Sequence, residues 1–225
     1  MVAIIIPYFK LTFFEATLQS LANQTDKRFK VYIGNDDSPE DPTLLLQNFK
    51  EKFDFEYTKF ETNLGRISLT KQWERCIELC GNEQWIMILG DDDVLSDSVV
   101  ENWYKNKAEF NSKTNIVRFA SILVDENSNP TSSKYCHPKW EIATDSFYRK
   151  FLGDSRSSLS EHIFLKEAYE RNGFYNYQLA WNSDDRAWLE FSEDKPIYTI
   201  NESIVYIRIS KINISGKSDN YLIKN

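Results

Sequence analysis

Short aliphatic runs, each followed by a turn and then by apolar residues at helical spacing, recur along the first half of the chain. Val2-Ala3-Ile4-Ile5-Ile6 is apolar at every position, as a strand covered on both faces requires. Pro7-Tyr8-Phe9 ends it, and Leu11, Phe14, Leu18, Leu21 and Ala22 then mark one face of a helix over 11–23. Phe29 to Asn35 reads as a second strand. A helix follows through Leu46 and Phe49, with Ser38 or Asp41 as its cap, and residues 53–60 alternate as a third strand. A helix over 68–80 is expected to bury Leu69, Trp73, Cys76, Ile77 and Cys80. Trp85 to Leu89 is a fourth strand, wholly apolar; a helix over 96–110 and a fifth strand, Ile116 to Val124, complete the series. Strand and helix thus alternate, which predicts an α/β sheet with helices packed on both faces.

The alternation then stops. Residues 125–138 are polar and read as a hairpin tip or loop; 147–153 and 166–172 read as helices, the second stopped by Gly173, with a strand over 159–164 between them. Residues 179–191 form an aromatic helical stretch, residues 196–200 and 203–209 two further strands, and a polar tail runs on from Lys211.

At 225 residues the chain can bury one substantial core. The formal charge of -7 argues against a nucleic-acid partner, since such binding rests on basic side chains that neutralise phosphates. An anionic ligand would need local cations or a metal. Cys76, Cys80 and Cys136 make neither a disulfide framework nor a zinc set, and are expected to be reduced thiols of a cytoplasmic protein. No apolar run reaches the length of a signal core or a membrane span. With 15% aromatic residues, some rings are expected to line a cleft.

Candidate chemistry lies in three acid groups, Asp36/Asp37, Asp91-Asp92-Asp93 and Asp184/Asp185. The first two follow strands of one parallel sheet, so they open on the same edge, where α/β folds bind ligands. A strand-end acid there can accept from a ribose or a base, and a neighbouring carboxylate can take a hard divalent cation against phosphates. An acid beside Trp181 and Trp188 is partly desolvated and hence a better base. Each group also has a plain structural reading. Asp36-Asp37-Ser38-Pro39 can be a turn and helix start, the acid triplet a helix N-terminus, Asp184/Asp185 with Arg186 an ion pair, and Asn63-Leu64-Gly65 a bare turn. His162 reads as a core or rim residue, and His137 carries no signal.

Taken together, Val2 to Tyr8, Ser20-Leu21-Ala22-Asn23-Gln24-Thr25, Asn35-Asp36-Asp37-Ser38, Asn63-Leu64-Gly65 and Asp91-Asp92-Asp93 resemble the family 2 glycosyltransferases of the GT-A fold, in the family's order. The likeness covers the first half closely and the second half only at Asp184/Asp185. It implies a Rossmann-like, mostly parallel central sheet with helices on both faces and a small irregular acceptor-side region. Residues 1–124 would be the nucleotide-sugar-binding half, and 125–225 the acceptor-binding half, of one domain. It also implies inverting sugar transfer from a nucleotide-diphosphate donor to a glycan or lipid-linked acceptor, in surface polysaccharide synthesis. The alternative is a domain that binds a nucleotide sugar without transferring it.

Carried over by position, Pro7, Tyr8 and Asp37 would border the nucleoside, and Asn63, Gly65, Asp91 and Asp92 the rest of the nucleotide, Asp92 at the ribose. Asp93 would hold Mn2+ or Mg2+. Arg66 and Lys71 are the candidate cations for the diphosphate, Lys71-Gln72-Trp73 standing where the family usually has A-R-N. Asp185 would be the catalytic base with Asp184 supporting it, and an alignment shifted by one residue exchanges the two. Gly90 stands where many members carry the first acid of the metal motif. The expected location is cytoplasmic, with peripheral contact at the inner membrane face. Sugar-nucleotide pyrophosphorylases would need a Gly-rich loop where Pro7-Tyr8-Phe9-Lys10 stands. Phosphoacceptor receivers would place their acid pair after the first strand, not the second.

Overall fold

A computed structural model describes residues 1–212; the polar tail expected from Lys211 lies, from residue 213 onward, outside the described residues. The first strand, β1 (Val2–Tyr8), is flanked on one side by β2 (Phe29–Asn35) and then β3 (Phe55–Lys59), and on the other by β4 (Trp85–Ile88), all parallel. Between them run α1 (Phe14–Ala22), α2 (Thr43–Gln47) and α3 (Leu69–Ile77). Alternation along β1 sends Val2, Ile4, Ile6 and Tyr8 into one core with Phe14, Leu18, Leu21 and Trp103, and Ala3 and Ile5 into a second with Cys76, Ile77, Trp188 and Phe191. The all-apolar run therefore reflects a strand buried on both faces.

Beyond β4 come β5 (Val94–Leu95), α4 (Val99–Phe110), β6 (Ile116–Val124), β7 (Trp140–Glu141), α5 (Ala143–Phe151), β8 (His162–Leu165), α6 (Lys166–Asn172), α7 (Ser183–Ser192) and β9 (Ile197–Arg208). The sheet order is β3-β2-β1-β4-β8-β6-β9-β5, with β7 paired to β9. β8 is antiparallel to both β4 and β6, so a strand from the second half of the chain separates two that the alternating order alone would make neighbours. The two strands expected after residue 196 are one, β9. Its pairing with β6 jumps from Phe119↔Ile200 to Ala120↔Ile204, and the bulge over 201–203 accounts for the apparent interruption.

The expected stripe of α3 is only partly buried: Cys76 and Ile77 are in the core, whereas Leu69, Trp73 and Cys80 are half-exposed and Thr70 and Gln72 are buried in their place. Gln72 turns inward because its amide donates to Gly34 O at 3.2 Å. The Ser20 to Thr25 stretch has a structural role at the site's rear. Gln24 Nε2 donates to Ser96 O at 2.8 Å, Val100 N–H donates to Gln24 Oε1 at 3.1 Å, and Leu95 N–H donates to Ser20 Oγ at 3.2 Å. These bonds tie the end of α1 to the segment that leaves the acid triplet, and satisfy an early N–H of α4.

Candidate functional site

The C-terminal ends of β1, β2 and β4 lie side by side and bring the first two acid groups to one edge, but the paired acids divide their tasks. Asp36 is buried and accepts from Leu64 N–H at 2.7 Å, Gly65 N–H at 2.9 Å and Arg75 Nη2 at 2.6 Å. It is a clamp that fixes the Asn63-Leu64-Gly65 turn, and Gly65 is required there: a Cβ would sit 2.5 Å from Asp36 Oδ2. Burial raises the Asp36 pKa, against the two N–H donors and Arg75. Asp37, in the left-handed region at φ 52, is exposed at the edge.

Pro7 is half-buried. The Tyr8 ring is wholly in the core, 4.7 Å from the Phe14 ring between centroids, with its hydroxyl donating to Glu40 O at 2.8 Å. Tyr8 thus offers the cleft backbone and no ring face, a correction to its expected place beside a nucleoside; an inward-facing residue of β1 belongs to the core. Asn63 Oδ1 accepts from Arg66 N–H at 2.8 Å, and Lys71 N–H donates to the Ser68 cap at 3.2 Å, leaving the Arg66 and Lys71 side chains exposed along the rim.

The acid triplet divides as well. Asp91 Oδ2 accepts from Phe9 N–H at 2.7 Å and Lys10 N–H at 2.8 Å, so it pins the loop after β1. Asp93 is buried; Oδ2 accepts from the Ser160 hydroxyl at 2.5 Å and Oδ1 from Arg208 N–H at 2.9 Å, while Gly90 N–H donates to Ser160 Oγ at 3.0 Å. A Cβ on Gly90 would lie 3.0 Å from both Asp92 Oδ1 and Asp93 Oδ2, so these oxygens converge on the space that the missing side chain leaves. Burial, and then the charge of Asp92, push Asp91 and Asp93 up to about 7. A crowded group of oxygen donors that resists ionisation is one that a hard cation relieves. Among the described residues no three His, Cys, Asp or Glu side chains form a metal cluster. Asp92 and Asp93 are the residues whose oxygens could take a cation at this edge.

Asp184 and Asp185 stand in the first turn of α7. The chain arrives there through Leu179, Ala180 and Asn182, all left-handed at φ 55, 54 and 62, a break inside the stretch expected to be continuously helical. Asp185 is buried and ion-paired with Lys150 of α5. Burial, and then the charge of Asp185, push Asp184 up to about 7, with Lys150 acting against the rise. The segment before β8 joins this pair to the triplet: Ser160 holds Asp93, and Ser157 lines a small pocket with Asp185, Lys150, Phe147 and Trp188. His162 is fully buried, stacked on Trp188 at 4.3 Å, and its Nδ1 meets Ser158 O at 2.8 Å; burial holds its pKa well below the usual histidine range.

Sequence reasoning missed Asp36 as the clamp, with Arg75, Lys150, Ser160 and Arg208. None of these carried a local signal: Asp36 itself lies 28 and 29 residues before the Leu64 and Gly65 amides it accepts from. The other partners lie 39 to 115 residues away from the acids they hold, except Lys150, which lies 35 residues from Asp185.

Residues 3–172 match the family described as Glycosyl transferase family 2. Among solved structures, S. aureus TarS 1-349 in complex with UDP-GlcNAc superposes with a TM-score of 0.78 at 13% identity, over 96% of this chain and 61% of that one. TarS 1-349 in complex with UDP gives 0.71 at 15% identity over 93% and 61%, and a longer TarS gives 0.72 at 14% identity over 93% and 37%. The chain spans about three fifths of the length of TarS 1-349, and at these identities the likeness is one of fold. A search of the curated proteins finds no match.

Proposed function

Because the chain belongs to glycosyl transferase family 2, we propose that it transfers a sugar, with inversion, from a nucleoside-diphosphate donor to a hydroxyl of a glycan or lipid-linked acceptor. The observation that carries this reading is the convergence of Asp92 Oδ1 and Asp93 Oδ2 over Gly90, at the sheet edge where Asp37 and the clamped 63–65 turn also lie. Asp37 contacts the base, Asn63 and Gly65 shape the nucleotide's seat, Asp92 faces the ribose, and Asp93 with Asp92 would hold Mn2+ or Mg2+. When bound, that cation neutralises charge on the departing diphosphate. Arg66 and Lys71, on the rim, supply the mobile positive charge that an acidic chain needs for an anionic donor. Asp91 acts through the loop after β1, whose amides it holds, and is a positioning residue.

In the transfer step Asp185 takes the acceptor proton and the freed oxygen bonds to the anomeric carbon. The bond from that carbon to the phosphate oxygen breaks, its electron pair leaving with the nucleoside diphosphate. The raised pKa of Asp184 favours a second assignment, with Asp184 as acceptor of the proton and Asp185 paired with Lys150 beside it. Separate Asp184→Asn and Asp185→Asn variants decide: the base variant loses transfer while keeping nucleotide affinity.

The first experiment is calorimetric titration with UDP, GDP, dTDP and CDP, with and without Mn2+. One nucleotide is expected to bind with Mn2+ assistance, and no such binding to any of them overturns the proposal. Binding without turnover of the matching nucleotide sugar supports the non-transferring alternative. No described helix is long and apolar enough to cross a membrane; action on surface polysaccharide precursors at the cytoplasmic membrane face is part of the proposal.

A further inference from the structure

The last turn of α5 carries two cations that are used differently. Arg149 Nε and Nη2 reach Glu141 Oε1 and Oε2 at 2.6 and 2.9 Å, a bidentate pair that continues through Glu141 to the fully buried Arg118 at 2.7 Å. Lys150 instead crosses to Asp185 on α7. The Asp185 side chain is 4% exposed and that of Lys150 29%, so a shielded carboxylate meets a cation that keeps contact with solvent. Both line the pocket between α5 and α7 with Ser146, Phe147, Ser157 and Trp188. There the Trp188 indole N–H and the Ser157 hydroxyl are buried without a hydrogen-bond partner. Two unsatisfied polar groups beside an ion-paired carboxylate make a place, with room for about one water, that a single hydroxyl can complete.

Other charges near the acid pair are occupied elsewhere. Arg186, next on α7, donates to Glu190 Oε1 at 2.9 Å and to the Tyr177 hydroxyl at 3.2 Å. Arg149 is held by Glu141. His162, behind Trp188, is kept neutral by burial. That leaves the Lys150 ammonium facing Asp184 and Asp185.

Building on the reading that this pair takes the acceptor proton, we propose that Lys150 is its positioning residue. It aims the Asp185 carboxylate at the pocket and keeps the negative charge on the pair until the acceptor hydroxyl arrives. An opposite charge in contact with a carboxylate favours its ionised form by about one to three pH units, so Lys150 sets the pH at which the pair can act. The rise of Asp184 to about 7, which Lys150 opposes, agrees with this geometry.

The test compares the unaltered protein with Lys150→Met and Lys150→Arg. Carboxyl carbons of Asp184 and Asp185 are titrated by NMR. Turnover is followed as nucleoside-diphosphate release from the donor that the nucleotide panel identifies, with water as acceptor. Lys150→Met is expected to move the pair's titration, and the acid limb of the turnover profile, upward by about one pH unit or more. Turnover near pH 7 then falls about tenfold while nucleotide affinity stays unchanged. Lys150→Arg is expected to restore both. A titration that does not move overturns the proposal, as does one that moves without the turnover limb following it. Loss of nucleotide affinity in Lys150→Met also overturns it, since that marks a structural prop. Absence of turnover in the unaltered protein with every donor overturns the functional reading and the role resting on it, while the titration still decides whether Lys150 governs the pair.

Discussion

Asp36 and Asp37 are adjacent and chemically identical, yet the structure makes opposite demands on them, and replacing each by Asn separates the two roles. Asp36→Asn keeps the shape but offers one accepting oxygen where the carboxylate has two, so either Leu64 N–H or Gly65 N–H faces an amide donor. An unsatisfied buried donor costs about 1–3 kcal/mol. Removing one partner of a buried ion pair costs about 3–5 kcal/mol, and the lower end applies, because the Arg75 side chain is 18% exposed and keeps Gln72 Oε1, Thr62 O and the Phe60 ring as partners. The carboxylate's own burial opposes its ionisation, so relief of that burial offsets part of the loss. The expected net destabilisation is about 2–3 kcal/mol.

Urea unfolding measures it, and a double-mutant cycle with Arg75→Gln is expected to show coupling of about 1 kcal/mol or more. Hydrogen exchange of Leu64 and Gly65 amides should quicken, and Mn2+-assisted nucleotide affinity should fall about tenfold as the turn loosens. Asp37→Asn, at an exposed position, should leave stability within about 0.5 kcal/mol and weaken nucleotide binding alone. If Asp36→Asn keeps both stability and amide protection, the clamp is not what fixes the turn.

Three further outcomes are expected. Two sets of buried groups give ligand-free stability opposed pH dependences over the same range. Asp91 and Asp93, raised from 3.8 to about 7, hold protons in the folded state that the unfolded chain gives up, so their contribution is lost as pH rises from about 4 to about 7 and is flat above. His137, lowered from 6.5 to about 3, is buried neutral, so its own contribution falls as pH drops from 6.5 toward 3, against the acids. Calorimetric melting from pH 4 to 8 gives the net slope, and Asp93→Asn, which removes one proton taken up on folding, should make the slope below pH 7 more positive. Gly90→Ala places a methyl group 3.0 Å from both Asp92 Oδ1 and Asp93 Oδ2 and should weaken Mn2+-assisted nucleotide binding more than metal-free binding; an equal effect on both speaks against a cation between those acids. Asn182→Val forces a β-branched residue to φ 62 and should cost about 1–2 kcal/mol in urea unfolding, whereas Asn182→Gly should be neutral or stabilising.

The alternation of apolar strands with helical stripes determined the α/β class, the parallel order around β1 and the sheet edge on which Asp36/Asp37 and the triplet open, because each depends on local periodicity and chain order. The strand Val2 to Ile6 even shows its burial on both faces, since every residue of it is apolar. Tertiary structure decided the rest. β8 enters antiparallel between β4 and β6, and backbone pairing of this kind leaves no mark in the periodicity of the strands it separates. Tyr8 is a core residue because alternation along β1 points it inward, a parity that an all-apolar strand does not display. Which acid of each group is held by distant segments was likewise not written in residue chemistry. Adjacent Asp residues have the same chemistry, and their surroundings differ through partners such as Arg75, Ser160, the Arg208 amide and Lys150. Those partners arrive from distant segments, and only the folded chain brings them within hydrogen-bond reach.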